Sequence, residues 1–535
     1  MKRWKVTFGL FLLLFALATT VACAETKEAK MDWNDRTVIF AQPGETIHFT
    51  YDVPENYVVT KEEWLWYFAY TDGHGSFGSG SNDDEYGATH FESYTYEPTG
   101  IHVEWDGKGS ISLSANEMVR IQLRLNGYEY LYAYVLVADP AEYYTYEIQN
   151  GEATITGYNK ELLRSKVLIP QEIEGYPVTT IGDRAFYDMP SGIGKEFYIP
   201  DNVTTFGKEA FAGSAYLDAV RMPQKLTKMG EGVFAACLQM HFLGIPDSLT
   251  EIPDEAFVNC WGYGSARDYS VEQCIGKNVT KIGKSAFAGC WNMGRAWGDG
   301  RLPEKLESIG EGAFQYCYKI KSLEIPAGVT VIPDRAFQGC ERLESIQIDG
   351  DITMIGAEAF DGCVALTSMP LSKPLNLIGA DAFRDCTALT AFQLAEGNTH
   401  FQVQQGALMT ADATRLLTYA ASAPQQSFVM PETLTQIDDG ALKNLRYLET
   451  LTFSPIFSDY QAGMFENATG LKTVNFGEGT LTAIPDRFFK GCTSLVSPNA
   501  FTGVTSVGES AFEGCTAVQS LSFDDSLSNI GTKAF

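Results

Sequence analysis

Basic residues are scarce in this chain of 535 residues, where 39 Lys plus Arg stand against 67 Asp plus Glu for a formal charge of -28. A surface of that sign repels phosphate backbones and anionic bilayers alike, so nucleic acid is not an expected partner. Histidine is scarcer still, with six residues. His48, His74, His90, His102, His241 and His400 lack metal-ligand spacing such as two on one helical face, although four of them fall in one segment, 32–139. No cofactor or metal is expected. The acidic run Asp83-Asp84-Glu85 lies in a polar, glycine-rich loop without the ligand spacing of a calcium site. No nucleophile-elbow sequence occurs, and at this acidity chance pairs of carboxylates are solvated surface, so no catalytic residues are assigned. Beyond the first residues there is also no long apolar run, which leaves no membrane span in the mature chain.

The one apolar run, Phe8 to Leu17, follows a basic start of Lys2, Arg3 and Lys5 and is too short to cross a bilayer. Residues 1–24 therefore read as a secretory signal. Ala22-Cys23-Ala24 supports cleavage after Ala24; Thr20-Val21-Ala22-Cys23 is a weak lipoprotein box, with lipidation of Cys23 as the alternative. Either route exports the protein, secreted or held at the cell surface by a lipid anchor. Residues 25–31 read as a short linker.

With 45% hydrophobic and 13% aromatic residues the exported part is a folded chain, too long for one ordinary core. Its organisation lies in a repeat. Phenylalanines recur at 186, 211, 234, 257, 287, 314, 337, 360, 383, 465, 489, 512 and 535, mostly 23 residues apart, with Leu442 standing in once. Within one period, Leu343-Glu-Ser-Ile346-Gln-Ile348 predicts a short strand with one buried face. Ile355-Gly-x-x-Ala359-Phe360 predicts a single helical turn, with the Gly or Pro after the isoleucine at its first position, where an amide is free. Such a unit cannot bury its apolar edge alone, so neighbours must stack into a solenoid.

Phrases such as Ile325-Pro-Ala-Gly-Val-Thr-Val-Ile332 followed by Ala336-Phe-Gln-Gly-Cys340 resemble the BspA-like leucine-rich repeats of bacterial surface proteins, from about Tyr146 to Phe535. The resemblance implies a mainly β fold with short helical turns: a leucine-rich-repeat solenoid of about 23-residue units over 176–535, behind an N-terminal cap at 140–175. The cap rests on the hairpin phrase Tyr146 to Gly157 with Asn150-Gly151 as its turn. Insertions fall at 257–301 and 384–430, where Phe401 to Tyr419 is similar to the family's longer unit. Residues 32–139 lack the period. Their alternating Val119 to Leu125 and Tyr130 to Val137 predict a small all-β, immunoglobulin-like sandwich with a boundary at Asp139-Pro140. Gly531-Thr-Lys-Ala-Phe535 ends in mid-repeat, read as a truncated or uncapped terminus.

Cys237, Cys260, Cys290, Cys317, Cys340, Cys363, Cys386, Cys492 and Cys515 share one repeat phase, which Met189, Ser214, Leu445 and Ala468 fill elsewhere. Export and rung spacing allow disulfides. Parallel side chains in a linear ladder favour buried free thiols acting as small hydrophobes, and do not converge on a tetrahedral metal. Cys274 is out of phase and unassigned. Gly283-Lys284-Ser285 imitates a phosphate loop, but Asn278 stands where the required glycine belongs.

Two surfaces remain for binding. Ser345 and Gln347, Ala391 and Gln393, Thr450 and Thr452, Thr473 and Asn475, and Ser520 and Ser522 form a flat, small, polar ladder without the aromatic and Arg anchors of hot spots. Trp261, Tyr263, Tyr269, Trp291 and Trp297 crowd the stretched units with Arg267 and Arg295, either as packing for the insertion or as an exposed patch for a protein or glycan ligand. The resemblance implies non-catalytic adhesion or recognition. A passive surface stalk, or the binding part of a larger surface enzyme, are the rival readings.

Overall fold

Parallel pairing of short strands, rung upon rung, builds most of the chain in the computed structural model. The structure describes strands within 26–137, with side chains there at Phe40 and Leu136 only, and residues 138–535 except 164, 242–243, 263–273, 295–299, 477–480 and 497–500. Two compact units divide it: Met1–Ile181 with Ser191–Val203, and Gly182–Pro190 with Thr204–Phe535.

The first unit opens with two four-stranded sheets. One orders Thr26–Met31, Thr46–Tyr51, Ile101–Trp105 and Gly109–Leu113; the other orders Arg36–Ala41, Glu129–Val137, Met118–Leu125 and Glu62–Ala69. The stretch 25–31, expected as linker, thus carries a strand, and parallel pairs such as Arg36–Ala41 on Glu129–Val137 sit among antiparallel ones. Asp139, the expected boundary, caps a one-turn helix at Pro140–Tyr143 by accepting the Ala141 N–H at 2.9 Å. The cap hairpin follows at Tyr144–Gln149 and Glu152–Tyr158. Its turn residues Asn150 and Gly151 take φ of 55° and 81°, the left-handed pair that a two-residue hairpin requires. Glu152–Tyr158 then pairs in parallel with Tyr176–Ile181, setting Ala153 and Ile155 beside Val178 and Ile181, all fully buried. The hairpin therefore covers the apolar edge of the strand Tyr176–Ile181.

In the second unit a complete period gives two short strands, such as Ser345–Ile348 and Met354–Ile355, and a turn segment around the phenylalanine. The strands alternate as expected: Ser345–Ile348 buries Ile346 and exposes Ser345 and Gln347, and it pairs in parallel with Ser322–Ile325. The phenylalanines stack face to face from Phe186 to Phe383, with centroids between 5.0 Å (Phe211–Phe234) and 5.8 Å (Phe360–Phe383). The stack breaks at Leu442 and resumes through Phe465, Phe489, Phe512 and Phe535. Burying such a ring contributes about 1.5–3 kcal/mol, and stacking about 0.5–1.5 kcal/mol more.

The turn segment departs from a helix in its hydrogen bonds. Arg335, Phe337 and Gly339 donate their N–H groups to Ala357, Ala359 and Asp361 of the next rung, while Ala336, Gln338 and Cys340 donate three residues back. Alternate amides thus leave the rung, where a helix would keep them all. The alternation requires left-handed residues two positions either side of the ring, such as Arg335 at φ 55° and Gly339 at 71°. The Gly or Pro position is likewise different from expectation. Its amide is not free when glycine fills it: Gly356 donates to Ile332 O at 2.7 Å and Gly379 to Ile355 O at 2.8 Å. Glycine is needed there because a Cβ at Gly356 or Gly379 would strike the backbone of the rung before.

Candidate functional site

The stretched rungs place a tryptophan each at one repeat phase, four residues after the phenylalanine. Trp261 and Trp291 occupy it on successive rungs and stack at 4.6 Å between ring centroids and 7° between planes. Tyr318 holds the same phase on the next rung, 6.0 Å from Trp291 and tilted by 56°. Trp261 and Trp291 are 39% and 42% exposed. The backbone beneath them is fixed by rung-to-rung bonds: Gly262 donates to Leu238 O at 3.1 Å, and the Asn292 side chain donates to Trp261 O at 2.7 Å.

Tyr316 extends the strip, 6.2 Å from Tyr318 and 43% exposed. It holds φ 59°, an unusual conformation for a bulky side chain. A Cβ built on Gly339 of the next rung would collide with the Tyr316 ring, so the glycine leaves the ring its seat. The strip is thus Trp261, Trp291, Tyr318 and Tyr316. Burial of Tyr318, then the nearby Glu341 carboxylate, raise its phenol pKa, keeping it a neutral hydrogen-bonding group.

Of the residues singled out in the sequence, Trp261 and Trp291 come together, while Tyr263, Tyr269 and Trp297, with Arg267 and Arg295, lie outside the described residues. Cys23 and Ala24 lie outside them too. Tyr316 and Tyr318 escape a search for aromatics within the insertions because they follow them. The available signal is phase, since Tyr318 follows Cys317 as Trp261 follows Cys260 and Trp291 follows Cys290.

The cysteine ladder sits one position further in. Cys237, Cys260, Cys290, Cys317, Cys340, Cys363, Cys386 and Cys492 are buried and Cys515 is partly so, all as free thiols, and Cys274 is buried and free as well. They do more than fill space. Each ladder thiol donates to the phenylalanine carbonyl of the rung before: Cys260 Sγ to Phe234 O at 3.0 Å, Cys340 Sγ to Phe314 O at 3.3 Å, Cys492 Sγ to Phe465 O at 3.1 Å. Ser214 does the same to Phe186 O at 2.8 Å. Burial pushes the thiol pKa of Cys260 and of Cys340 up to about 12, and that of Cys515 up to about 11. At neutral pH these thiols are protonated donors, not nucleophiles.

A second ladder lies one residue after the ring. Gln315, Gln338, Asp361 and Arg384 follow one another rung by rung, with Gln338 donating to Asp361 at 2.9 Å and Arg384 meeting Asp361 through two bonds of 2.7 and 3.0 Å. The phosphate-loop mimic is committed elsewhere. Gly283 N donates to Ile252 O, Lys284 N to the Asp254 carboxylate and Ser285 N to Glu311 O, so all three amides are spent on neighbouring rungs.

Runs of short parallel strands stacked rung on rung over a buried phenylalanine stack make the second unit a repeat solenoid. The chain belongs to the BspA type leucine rich repeat region family, which matches in six copies over residues 171–263, 280–405 and 418–535. Among solved structures it is similar to a leucine rich cell surface protein from Faecalibacterium prausnitzii, at 23% identity over 71% of this chain and 93% of that one, with a TM-score of 0.43. A leucine-rich repeat protein from Bacteroides ovatus is also 23% identical, over 74% and 90% of the two chains, with a TM-score of 0.39. No curated protein matches the chain. Among the described residues no helix is long and apolar enough to cross a membrane.

Proposed function

We propose that the protein is exported and works as a non-catalytic recognition module at a bacterial cell surface, with the strip of Trp261, Trp291, Tyr318 and Tyr316 taking a protein partner. The exposure of the two stacked tryptophans, 39% and 42%, carries this reading. Trp and Tyr are also the residues that most often anchor protein interfaces. Stacking at 4.6 Å turns one face of each indole to the other, which leaves less open ring face for a sugar. The basic and apolar start of the chain supports export, and membership of the repeat family supports the surface location.

The double variant Trp261→Ala, Trp291→Ala of the full mature chain tests the reading on arrays of surface proteins and of neutral glycans. Capture by at least one protein, reduced tenfold or more in the variant with an unchanged circular dichroism spectrum, is the expected result. Equal capture by variant and parent would remove the strip from the function.

A further inference from the structure

Further along the same unit, the outer phase changes chemistry. The residue four after Leu442 is Arg446, the counterpart of Trp261, Trp291 and Tyr318. It borders a cleft of about 390 Å³ lined also by Gln426, Tyr447, Glu449, Thr469, Lys472 and Ser494, within the range of small-ligand sites. Successive rungs fix its floor. Arg446 N donates to Ala421 O at 2.8 Å, Gly470 N to Leu445 O at 3.0 Å, and Glu449 N to Gln426 O at 2.8 Å. Gly470 is bare for a reason, because a Cβ there would strike the carbonyl of Arg446.

The charges of this cleft run against the whole chain. Arg446 and Lys472 face Glu449, two cations to one carboxylate, in a protein of net charge -28. Lys472 is engaged with Glu449 at 2.7 Å, whereas Arg446 is exposed and has no acidic partner among the described residues. A guanidinium left open in an acidic protein is a fork for a carboxylate. Around it stand the Gln426 amide and the Thr469 and Ser494 hydroxyls, which both give and take hydrogen bonds, and the Glu449 carboxylate, which accepts them. Tyr447 adds a ring that is 56% exposed. One carboxylate, several hydroxyls and an apolar ring face are the composition of an acidic sugar. A peptide terminus supplies the carboxylate and N–H donors for Glu449, but not the several hydroxyls, each able to give and take, that would meet Gln426, Thr469 and Ser494 together.

We propose that this cleft binds a carboxylate-bearing sugar of the uronic acid class, with Arg446 on the carboxylate, Glu449 and Gln426 on ring hydroxyls, and Tyr447 against the ring face. The site is separate from the aromatic strip, so the two readings stand or fall apart.

Calorimetric titration of the full mature chain with a galacturonic acid trisaccharide, its methyl ester and a tripeptide with a free carboxylate tests the assignment. The free acid should bind, and the ester and the tripeptide at least tenfold more weakly. Arg446→Ala should weaken the acid tenfold or more, with Arg446→Lys in between; Trp261→Ala should leave it unchanged. Rising salt should weaken it as well. No binding of the acid at millimolar concentration, equal binding of the ester or tripeptide, or an unaffected Arg446→Ala variant with the parent's circular dichroism would each overturn the proposal.

Discussion

Cys260 is fully buried and Trp261, the next residue, is 39% exposed; Cys290 and Trp291 repeat the contrast at 0% and 42%. The peptide bond between them carries the chain from the inner ladder to the outer rim. On the inside each side chain meets its own equivalent one rung away, so the phase accepts only what stacks: Phe on Phe, thiol on carbonyl. On the outside a side chain meets solvent, and the phase runs through Leu238, Trp261, Trp291, Tyr318, Glu341 and Val364 without a shared chemistry. Repetition marks packing here, and variation at a fixed phase marks the surfaces available for recognition.

The largest way to break the contrast is to charge the inner ladder. A thiol whose folded pKa is raised keeps its proton where the unfolded chain loses it, so unfolding releases protons between the two values. Stability is then intact below the ordinary thiol value of 9.0 and falls as pH rises toward the folded values of about 12 for Cys340 and about 11 for Cys515. Each buried thiol contributes a loss of about 1.4 kcal/mol per pH unit in that window. Melting followed by circular dichroism from pH 8 to 10.5 should show a steep decline. A variant with Cys317, Cys340 and Cys363 all changed to Ser should decline less steeply; an equal slope would remove the ladder as the cause.

Truncating single residues on the two sides comes next. Phe337→Ala opens a hole between two stacked rings and should cost about 3–5 kcal/mol. Trp291→Ala, at the rim, should cost about 1 kcal/mol or less, since its ring is part-exposed and leaves no enclosed cavity. Urea denaturation of both variants checks the pair, and similar losses would mean that the rim is packing after all. Smaller again is the thiol's own bond. Cys340→Ala removes a donor to Phe314 O, worth about 0.5–1.5 kcal/mol, whereas Cys340→Ser keeps one, as Ser214 does. Ser should therefore be the milder change, and the reverse ranking would leave the sulfur a filler only.

The period, the strand faces and the single phase of the cysteines were legible because stacking imposes them on residue type. The turn geometry was not. The left-handed position two before the ring is filled by Arg184, Glu209, Ser285, Arg335 and Asp381, of which only the aspartate is a type that favours a positive φ. Its cause lies in the next rung's carbonyls, which no single period contains. The thiol bonds were hidden in the same way, because the acceptor lies 26 residues back. At the rim, Trp261 and Trp291 stood out by size and by their place in the insertion. Tyr318 needed the phase, and Arg446 needed the neighbours that leave it without an acid.

The smallest test falls between the two faces, at the left-handed position two after the ring. Ala236 holds φ 58° there, while Gly213, Gly289 and Gly339 fill the same place on other rungs. An alanine in that region pays about 1–2 kcal/mol of steric strain. Glycine relieves it but loses about 0.4–1 kcal/mol through the greater freedom of the unfolded chain. The amide bond to Val258 O at 2.8 Å survives the change, because it belongs to the backbone. Ala236→Gly should therefore raise stability by about 0.5 kcal/mol, read as a shift of the urea midpoint with an unchanged slope. Tyr316 holds the same phase at φ 59° but carries a ring of the exposed strip. Relief of strain there would come with loss of contact surface, so Tyr316→Gly should match Ala236→Gly in its strain term and differ in partner capture. A drop in stability for Ala236→Gly would show that the rung geometry holds no strain at this phase.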